Sequence, residues 1–178
     1  MLDRMDRRTF LARASAAAAL LSGCGARPIR CDTPQAGPGQ RLDPLEWRTV
    51  QAAQEVILPS KPGSPGAREV QATAYLDAAL AFGAQPGECE TVKRGAHRLD
   101  ALAVERGAFD YAALDAADAG AVLRQMLKTY GNEWFVVVLG YTLEAFLGDP
   151  VHGGNPDGIG WKWVGHAPGW PRPPTKGS

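Results

Sequence analysis

Apolar residues recur every three or four positions in several stretches of the chain, which is the spacing of amphipathic helices. The first predicted helix begins at Asp43-Pro44, where an N-cap residue precedes a proline suited to the first helical position, and it ends before Pro59. Three further helices, each followed by a glycine, are predicted over about residues 67–82, 88–106 and 114–130.

Residues 133–147 carry two opposing signals. Trp134–Leu139 is rich in β-branched and aromatic residues, which favours a strand. No other segment offers a partner strand, however, and an unpaired strand is unstable. We therefore predict one buried helix over 133–147, with Asn132 as its candidate N-cap. Its run of about ten apolar residues is too short for a membrane span.

The part of the chain from Asp149 to Pro171 has no regular periodicity and is rich in glycine and proline. It also holds three of the five tryptophans, Trp161, Trp163 and Trp170. Ordered loops that carry aromatic residues are often recognition surfaces. The predicted fold class is therefore all-α, a compact bundle of about five helices with an irregular Gly/Pro/Trp-rich C-terminal segment. A single helical domain is predicted over 43–178, with a docking loop at 149–171.

The first 24 residues are predicted to be a targeting segment. Arg7-Arg8, followed by Phe10-Leu11 and a short Ala-rich stretch, resembles a twin-arginine export signal. The alternative is an amphipathic first helix of the folded domain, but no polar face continues beyond Arg13. The prediction is an exported protein located in the periplasm.

Leu21-Ser22-Gly23-Cys24 resembles a lipobox, in which Cys24 becomes the acylated mature N-terminus. Lipid chains on Cys24 would anchor the protein to the membrane. The Pro/Gly-rich stretch 25–42 is then a tether between the membrane and the domain. The alternative is ordinary cleavage after a small residue, which leaves Cys24 as a thiol.

The remaining cysteines, Cys31 and Cys89, are either a disulfide formed in an oxidising compartment or two thiols. Neither a haem attachment motif nor a cysteine cluster suited to zinc or iron–sulfur occurs in the sequence. The chain has 19 basic and 19 acidic residues, so its charge does not indicate a nucleic-acid partner. No nucleophile elbow or complete dinucleotide loop is present. We therefore predict no catalytic, cofactor-binding or metal-binding residues in this chain.

Two groups of motifs resemble the small third subunit of gluconate 2-dehydrogenase. The early group is Ile57-Leu58-Pro59 and Pro65-Gly66-Ala67. The late group is Asp149-Pro150, Gly153-Gly154-Asn155, Gly160-Trp161 and Gly165-His166-Ala167-Pro168-Gly169, with His152 at a position where the family usually has Tyr. The resemblance spans about residues 44–171.

The resemblance implies an exported, non-catalytic subunit that accompanies a flavin-bearing dehydrogenase subunit and a cytochrome c subunit. FAD and haem c are expected in those partners and no cofactor in this chain. Members of the family are thought to aid export, assembly or stability of the catalytic subunit. The residues expected at the partner interface are Asp149, Pro150, Gly153, Gly154, Asn155, Trp161, Trp163, Gly165, Pro168 and Gly169.

Two other functions stay open at this point. One is a stand-alone periplasmic lipoprotein that binds a ligand through its Trp-rich loop. The other is a metal-dependent enzyme using Asp149, His152 and His166, whose spacing matches no standard metal site.

Overall fold

A computed structural model describes residues 41–169. Five long α-helices and one short one make up most of this range: α1 Pro44–Ile57, α2 Ala72–Phe82, α3 Glu88–Val104, α4 Ala116–Tyr130, α5 Glu133–Leu147 and α6 Ile159–Val164. No strand is present between residues 41 and 169, which confirms the all-α prediction. The predictions for Arg7, Arg8, Phe10, Leu11, Cys24, Cys31, Trp170 and Pro171 fall on residues outside this range.

α1 begins where its sequence predicts, at a capping box. The Asp43 side chain accepts hydrogen bonds from the amides of Leu45 and Glu46, both at 2.8 Å. In return, the Asp43 amide donates to a carboxylate oxygen of Glu46 at 2.9 Å. The Glu46 side chain is almost fully buried, yet it is paired with Lys93 at 3.0 Å and with His97 at 3.2 Å, both on α3. The same carboxylate therefore starts α1 and joins it to α3.

α1 packs against all four other long helices, and α3 packs against α1, α4 and α5. The main core fills the space between these helices. Its largest fully buried apolar side chains are Val50, Leu76, Val92, Leu99, Tyr111, Val122, Met126 and Val138. α2 packs along α5 on the other side of the bundle.

α5 confirms the prediction of one helix over 133–147. Burial overrides the strand propensity of its first half: the Trp134 ring is buried against α3, and its Nε1 donates to the carbonyl of Val92 at 2.9 Å. Asn132 occupies the N-cap position of α5, as predicted, but its side chain makes no capping hydrogen bond. None of the helices within residues 41–169 is long and apolar enough to cross a membrane.

Three predicted boundaries are corrected by turns. α2 starts at residue 72 rather than 67, because residues 67–71 form turns that end at Gln71 in a left-handed conformation (φ 58°). α3 ends at Val104 rather than 106, and α4 starts at Ala116 rather than 114, where the Asp115 side chain caps the amide of Asp118 at 2.8 Å.

The segment predicted to be irregular contains ordered structure. Two 3-10 turns, Pro150–His152 and Pro156–Gly158, lead into α6, which has only six residues. A helix of that length spans fewer than about two turns, so it leaves no detectable periodicity in the sequence.

Candidate docking surface

A second, smaller core lies beneath the C-terminal segment. Its buried residues come from the turn before α2, from the start of α2 and from the end of α5: Ala67, Val70, Ala72, Ala145 and Phe146. Ile159 of α6 packs on this cluster and is partly buried. The early and late groups of sequence motifs, which are distant along the chain, therefore share one hydrophobic foundation.

Asn155 fixes the C-terminal segment to this foundation. Its backbone amide donates to the carbonyl of Val70 at 3.1 Å, and its side-chain nitrogen donates to the carbonyl of Gly148 at 2.9 Å. Its side-chain oxygen accepts from the amide of Gly160 at 2.7 Å. Asn155 is fully buried and adopts a left-handed conformation (φ 50°), which asparagine tolerates better than most residues. The side chain of Asn155 thus joins the end of α5 to α6, and its backbone amide joins both to the turn before α2.

Two glycines allow the segment to lie directly on α5. A β-carbon on Gly154 would come within 2.7 Å of the Ala145 Cα, and one on Gly160 would collide with the carbonyl oxygen of Phe146. Both positions therefore require the smallest residue. Their close approach is to the protein's own helix, which gives both glycines a role in shaping the surface.

The two tryptophans of α6 have different environments. Trp161 is 9% exposed, and its Nε1 donates to the carbonyl of Leu147 at 2.6 Å. Trp163 is 53% exposed and contacts Phe146 edge to face, with ring centroids 5.6 Å apart. Trp161 contributes to the fold, while Trp163 offers its ring to solvent.

α6 forms a ridge between two open grooves. The first, here named the turn-side groove, is lined by Lys61, Ser64 and Pro65 from the turn before α2 and by Ile159, Lys162 and Trp163 from α6. The second, named the tail-side groove, is lined by Pro150, Asp157, Trp161, Lys162 and His166. Lys162 stands on the ridge and borders both. A ridge between grooves is a shape that suits a polypeptide partner.

The acidic side chain of the turn-side groove is already hydrogen-bonded, whereas its two lysines are exposed. Glu69 lies in it, but its Oε2 already accepts from the Ser60 hydroxyl at 2.5 Å and from the Gly66 amide at 2.9 Å. The hydrogen bond from Ser60 and those from the backbone lower the pKa of Glu69, so this carboxylate stays ionised. Lys61 and Lys162 are exposed and form no ion pair within residues 41–169.

The other predicted interface residues divide between scaffold and surface. Asp149 accepts from the Val151 amide at 3.1 Å and so caps the turn that contains Pro150, while Gly153 has a positive φ of 96°. Gly165, Pro168 and Gly169 are exposed. Whether any of them touches a partner stays a prediction.

Two alternatives that the sequence left open concern a metal site and a disulfide. Asp149, His152 and His166 are not brought together: residues 41–169 contain no group of three His, Cys, Asp or Glu side chains able to hold a metal ion. His166 instead contacts the ring of Trp161, with centroids 5.4 Å apart. Cys89 is buried at the start of α3, and its pairing with Cys31 stays a prediction because Cys31 lies outside the described range.

Sequence reasoning missed that Lys61 and Lys162 line the same groove. Lys61 sits in a tight turn closed by paired backbone hydrogen bonds with Ser64, at 3.0 and 2.9 Å. The Pro and Gly residues around it predict the turn, but nothing in the sequence indicates that this turn faces Lys162.

Comparison with known families gives one match, to the family described as Gluconate 2-dehydrogenase subunit 3, over residues 44–169. Comparison with curated proteins and with solved structures found no match.

Proposed function

This chain belongs to the gluconate 2-dehydrogenase subunit 3 family, and we propose from that premise that it is a docking subunit for a flavin-dependent dehydrogenase. Membership implies that it is a subunit of a gluconate 2-dehydrogenase-like complex and has the other subunits of that complex as partners. The finer proposal is that it performs no redox step and instead supports assembly, stability and export of the catalytic subunit.

The observation that carries this proposal is the shared foundation of the two motif groups. The early turn, which contains Val70, and the late segment, anchored by Asn155, meet through the backbone hydrogen bond between these two residues. Gly154 and Gly160 of the late group allow close packing on α5, and α6 rises from this base as a ridge with an exposed tryptophan. Preorganised aromatic surfaces lose little conformational entropy on binding, which suits a permanent subunit interface.

The proposal assigns the redox groups to other subunits. A flavin subunit with FAD would oxidise the substrate, and a cytochrome c subunit with haem c would receive the electrons. The described surface supports docking because its grooves are open along the α6 ridge and lined by a mixture of apolar and charged side chains.

The proposed location follows from the leader. Arg7-Arg8 would direct export of the folded protein by the twin-arginine route, and acylated Cys24 would hold it at the periplasmic face of a membrane. The twin-arginine route exports folded proteins, so a small subunit that binds its flavin partner in the cytoplasm would be exported with it as one complex.

Co-purification tests the proposed function. The full chain, tagged at its C-terminus and expressed from its own genome, should bring down a flavin and a c-type haem, both located by mass spectrometry on other polypeptides. Flavin or haem bound to this chain itself would contradict the proposal, as would isolation of the chain without any oxidoreductase subunit.

A further inference from the structure

We infer that the turn-side groove receives an acidic, extended segment of the flavin subunit, with a carboxylate held between Lys61 and Lys162. This inference rests on the proposed function and specifies the chemistry of the partner. It is carried by the charge of the groove, by the apolar wall beside it and by the charge of the chain's own flanking segments.

The charge of the groove is complementary to a carboxylate. Its two lysines come from different elements, one from the turn before α2 and one from α6, and both side chains are exposed. Glu69, the acidic residue of the groove, is engaged by Ser60 and Gly66. A partner carboxylate therefore meets two available ammonium groups and one carboxylate that is already hydrogen-bonded.

The apolar wall indicates what stands next to that carboxylate. Ile159 and Trp163 line the same groove, and the Trp163 ring is 53% exposed although Phe146 supports it from below. An aliphatic or aromatic side chain of the partner, placed beside the acidic residue, would cover this ring. A half-exposed indole that a partner buries often contributes a large part of the binding energy at an interface.

The flanking segments of this chain do not match the groove. Residues 25–40 contain Arg27, Arg30 and a single acidic residue, Asp32. Residues 170–178 contain Arg172 and Lys176 and no acidic residue. Both segments are net basic, so electrostatic attraction favours an acidic segment of another polypeptide in this groove over either of them.

Zero-length cross-linking of the purified complex tests this inference. A carbodiimide joins a lysine Nζ to a carboxylate carbon that it touches, forming an amide while the reagent takes up the water. Mass spectrometry should find Lys61 or Lys162 linked to an Asp or Glu of the flavin subunit. Lys128, which is exposed on α4 and lines neither groove, is the matched control and should not be linked to that residue.

Charge variants supply the energetic arm of the test. Lys61→Gln with Lys162→Gln should weaken binding of the flavin subunit about tenfold and flatten the salt dependence of the affinity, since each partly exposed ion pair contributes modestly. Lys61→Glu with Lys162→Glu should weaken it further, because repulsion replaces attraction. Lys128→Glu should leave binding unchanged.

The outcomes separate this inference from the function it rests on. A complex that forms at wild-type affinity after double charge reversal overturns the acidic-segment inference and leaves the docking function standing. Cross-links from Lys61 or Lys162 to a second copy of this chain, in place of the flavin subunit, also overturn it. Absence of any complex with the wild-type chain contradicts the proposed function itself.

Discussion

The side-chain oxygen of Asn155 accepts a hydrogen bond from the backbone amide of Gly160 at 2.7 Å, in a position where both residues are buried. The side-chain nitrogen of the same asparagine donates to Gly148 at the end of α5. One amide side chain thus fixes the start of α6 to the end of α5, because its oxygen binds the first of these and its nitrogen the second.

Asn155→Ala should lower the free energy of unfolding by about 2–4 kcal/mol, because the Gly148 carbonyl and the Gly160 amide lose their partner inside the protein and alanine tolerates the left-handed backbone poorly. Urea unfolding followed by circular dichroism measures the change. Asn132→Ala is the control: that asparagine is exposed and makes no capping bond, so its loss should alter stability by less than about 0.5 kcal/mol. Equal effects of the two substitutions would contradict the anchoring role.

Two helical glycines should respond in opposite directions to the same substitution. A β-carbon on Gly95 of α3 would overlap the Trp134 ring, so Gly95→Ala should destabilise the protein by about 1–3 kcal/mol. A β-carbon on Gly140 of α5 meets no atom within 4 Å, so Gly140→Ala should stabilise it by up to about 1 kcal/mol through helix propensity. Thermal melts of both variants decide the matter, and destabilisation by Gly140→Ala would show that the α5 surface is tighter than described.

The elements were predictable where local chemistry determines them. Asp43 caps α1 as its sequence indicates, and the 133–147 stretch is helical because no partner strand exists within the described residues. The late start of α2 was missed because Gln71 adopts a left-handed conformation, which its residue type does not suggest.

The candidate site was predictable as a segment but not as a surface. The sequence places tryptophans, glycines and prolines between residues 149 and 171, and the family motifs fall on them. The late segment that carries Trp161 and Trp163 meets the early turn through the hydrogen bond from Asn155 to Val70, and residues of both segments line the turn-side groove. That contact joins distant parts of the chain, and periodicity carries no information about such contacts.

Asp77 should make stability depend on pH in an unusual direction. Its buried carboxylate accepts hydrogen bonds from the backbone amides of Arg41 and Leu42, at 2.7 and 2.8 Å. Burial nevertheless raises the pKa of Asp77, although these hydrogen bonds act to lower it. The raised pKa means that the folded state binds this proton more tightly than the unfolded state does. The Asp77 contribution to stability is therefore fully present below the unfolded pKa of about 3.9 and is lost as pH rises through the folded pKa.

Comparison with Asp77→Asn isolates this effect, because the amide oxygen still accepts both backbone bonds and carries no charge. Wild type should lose stability relative to Asp77→Asn as pH rises from about 4, and the difference should become constant above the raised pKa. Asp77→Ala, which leaves two amides without an acceptor, should be destabilised by about 1–3 kcal/mol throughout. Urea titrations from pH 4 to 8 provide the values, and a gain of wild type over Asp77→Asn with rising pH would refute this assignment.

Export should depend on the arginine pair of the leader. Arg7→Lys with Arg8→Lys should trap the chain, with its flavin partner, in the cytoplasm, because lysine does not reproduce the twin-arginine signal. Cell fractionation with immunoblotting measures the distribution, and Arg13→Lys is the matched control that leaves the pair intact. Undiminished periplasmic protein in the double variant would rule out this export route.

Replacing the two α6 tryptophans should have different effects, one on stability and the other on binding of the flavin subunit. Trp161→Ala removes a buried ring and its hydrogen bond to the Leu147 carbonyl, so it should lower stability by about 3–5 kcal/mol. Trp163→Ala removes a half-exposed ring and should leave the melting temperature close to that of the wild type. It should nevertheless weaken binding of the flavin subunit by about 2 kcal/mol, roughly thirtyfold, because the ring becomes covered in the complex.

The control for Trp163 is Phe109→Ala, which removes an aromatic ring that is 82% exposed and lines neither groove. Binding of the flavin subunit by the three variants is compared by surface plasmon resonance, and folding by thermal melts. Wild-type binding by Trp163→Ala would remove the α6 ridge from the interface. If Phe109→Ala were instead the variant that lost binding, the partner would have to dock near the connection between α3 and α4, away from the surface that Asn155 organises.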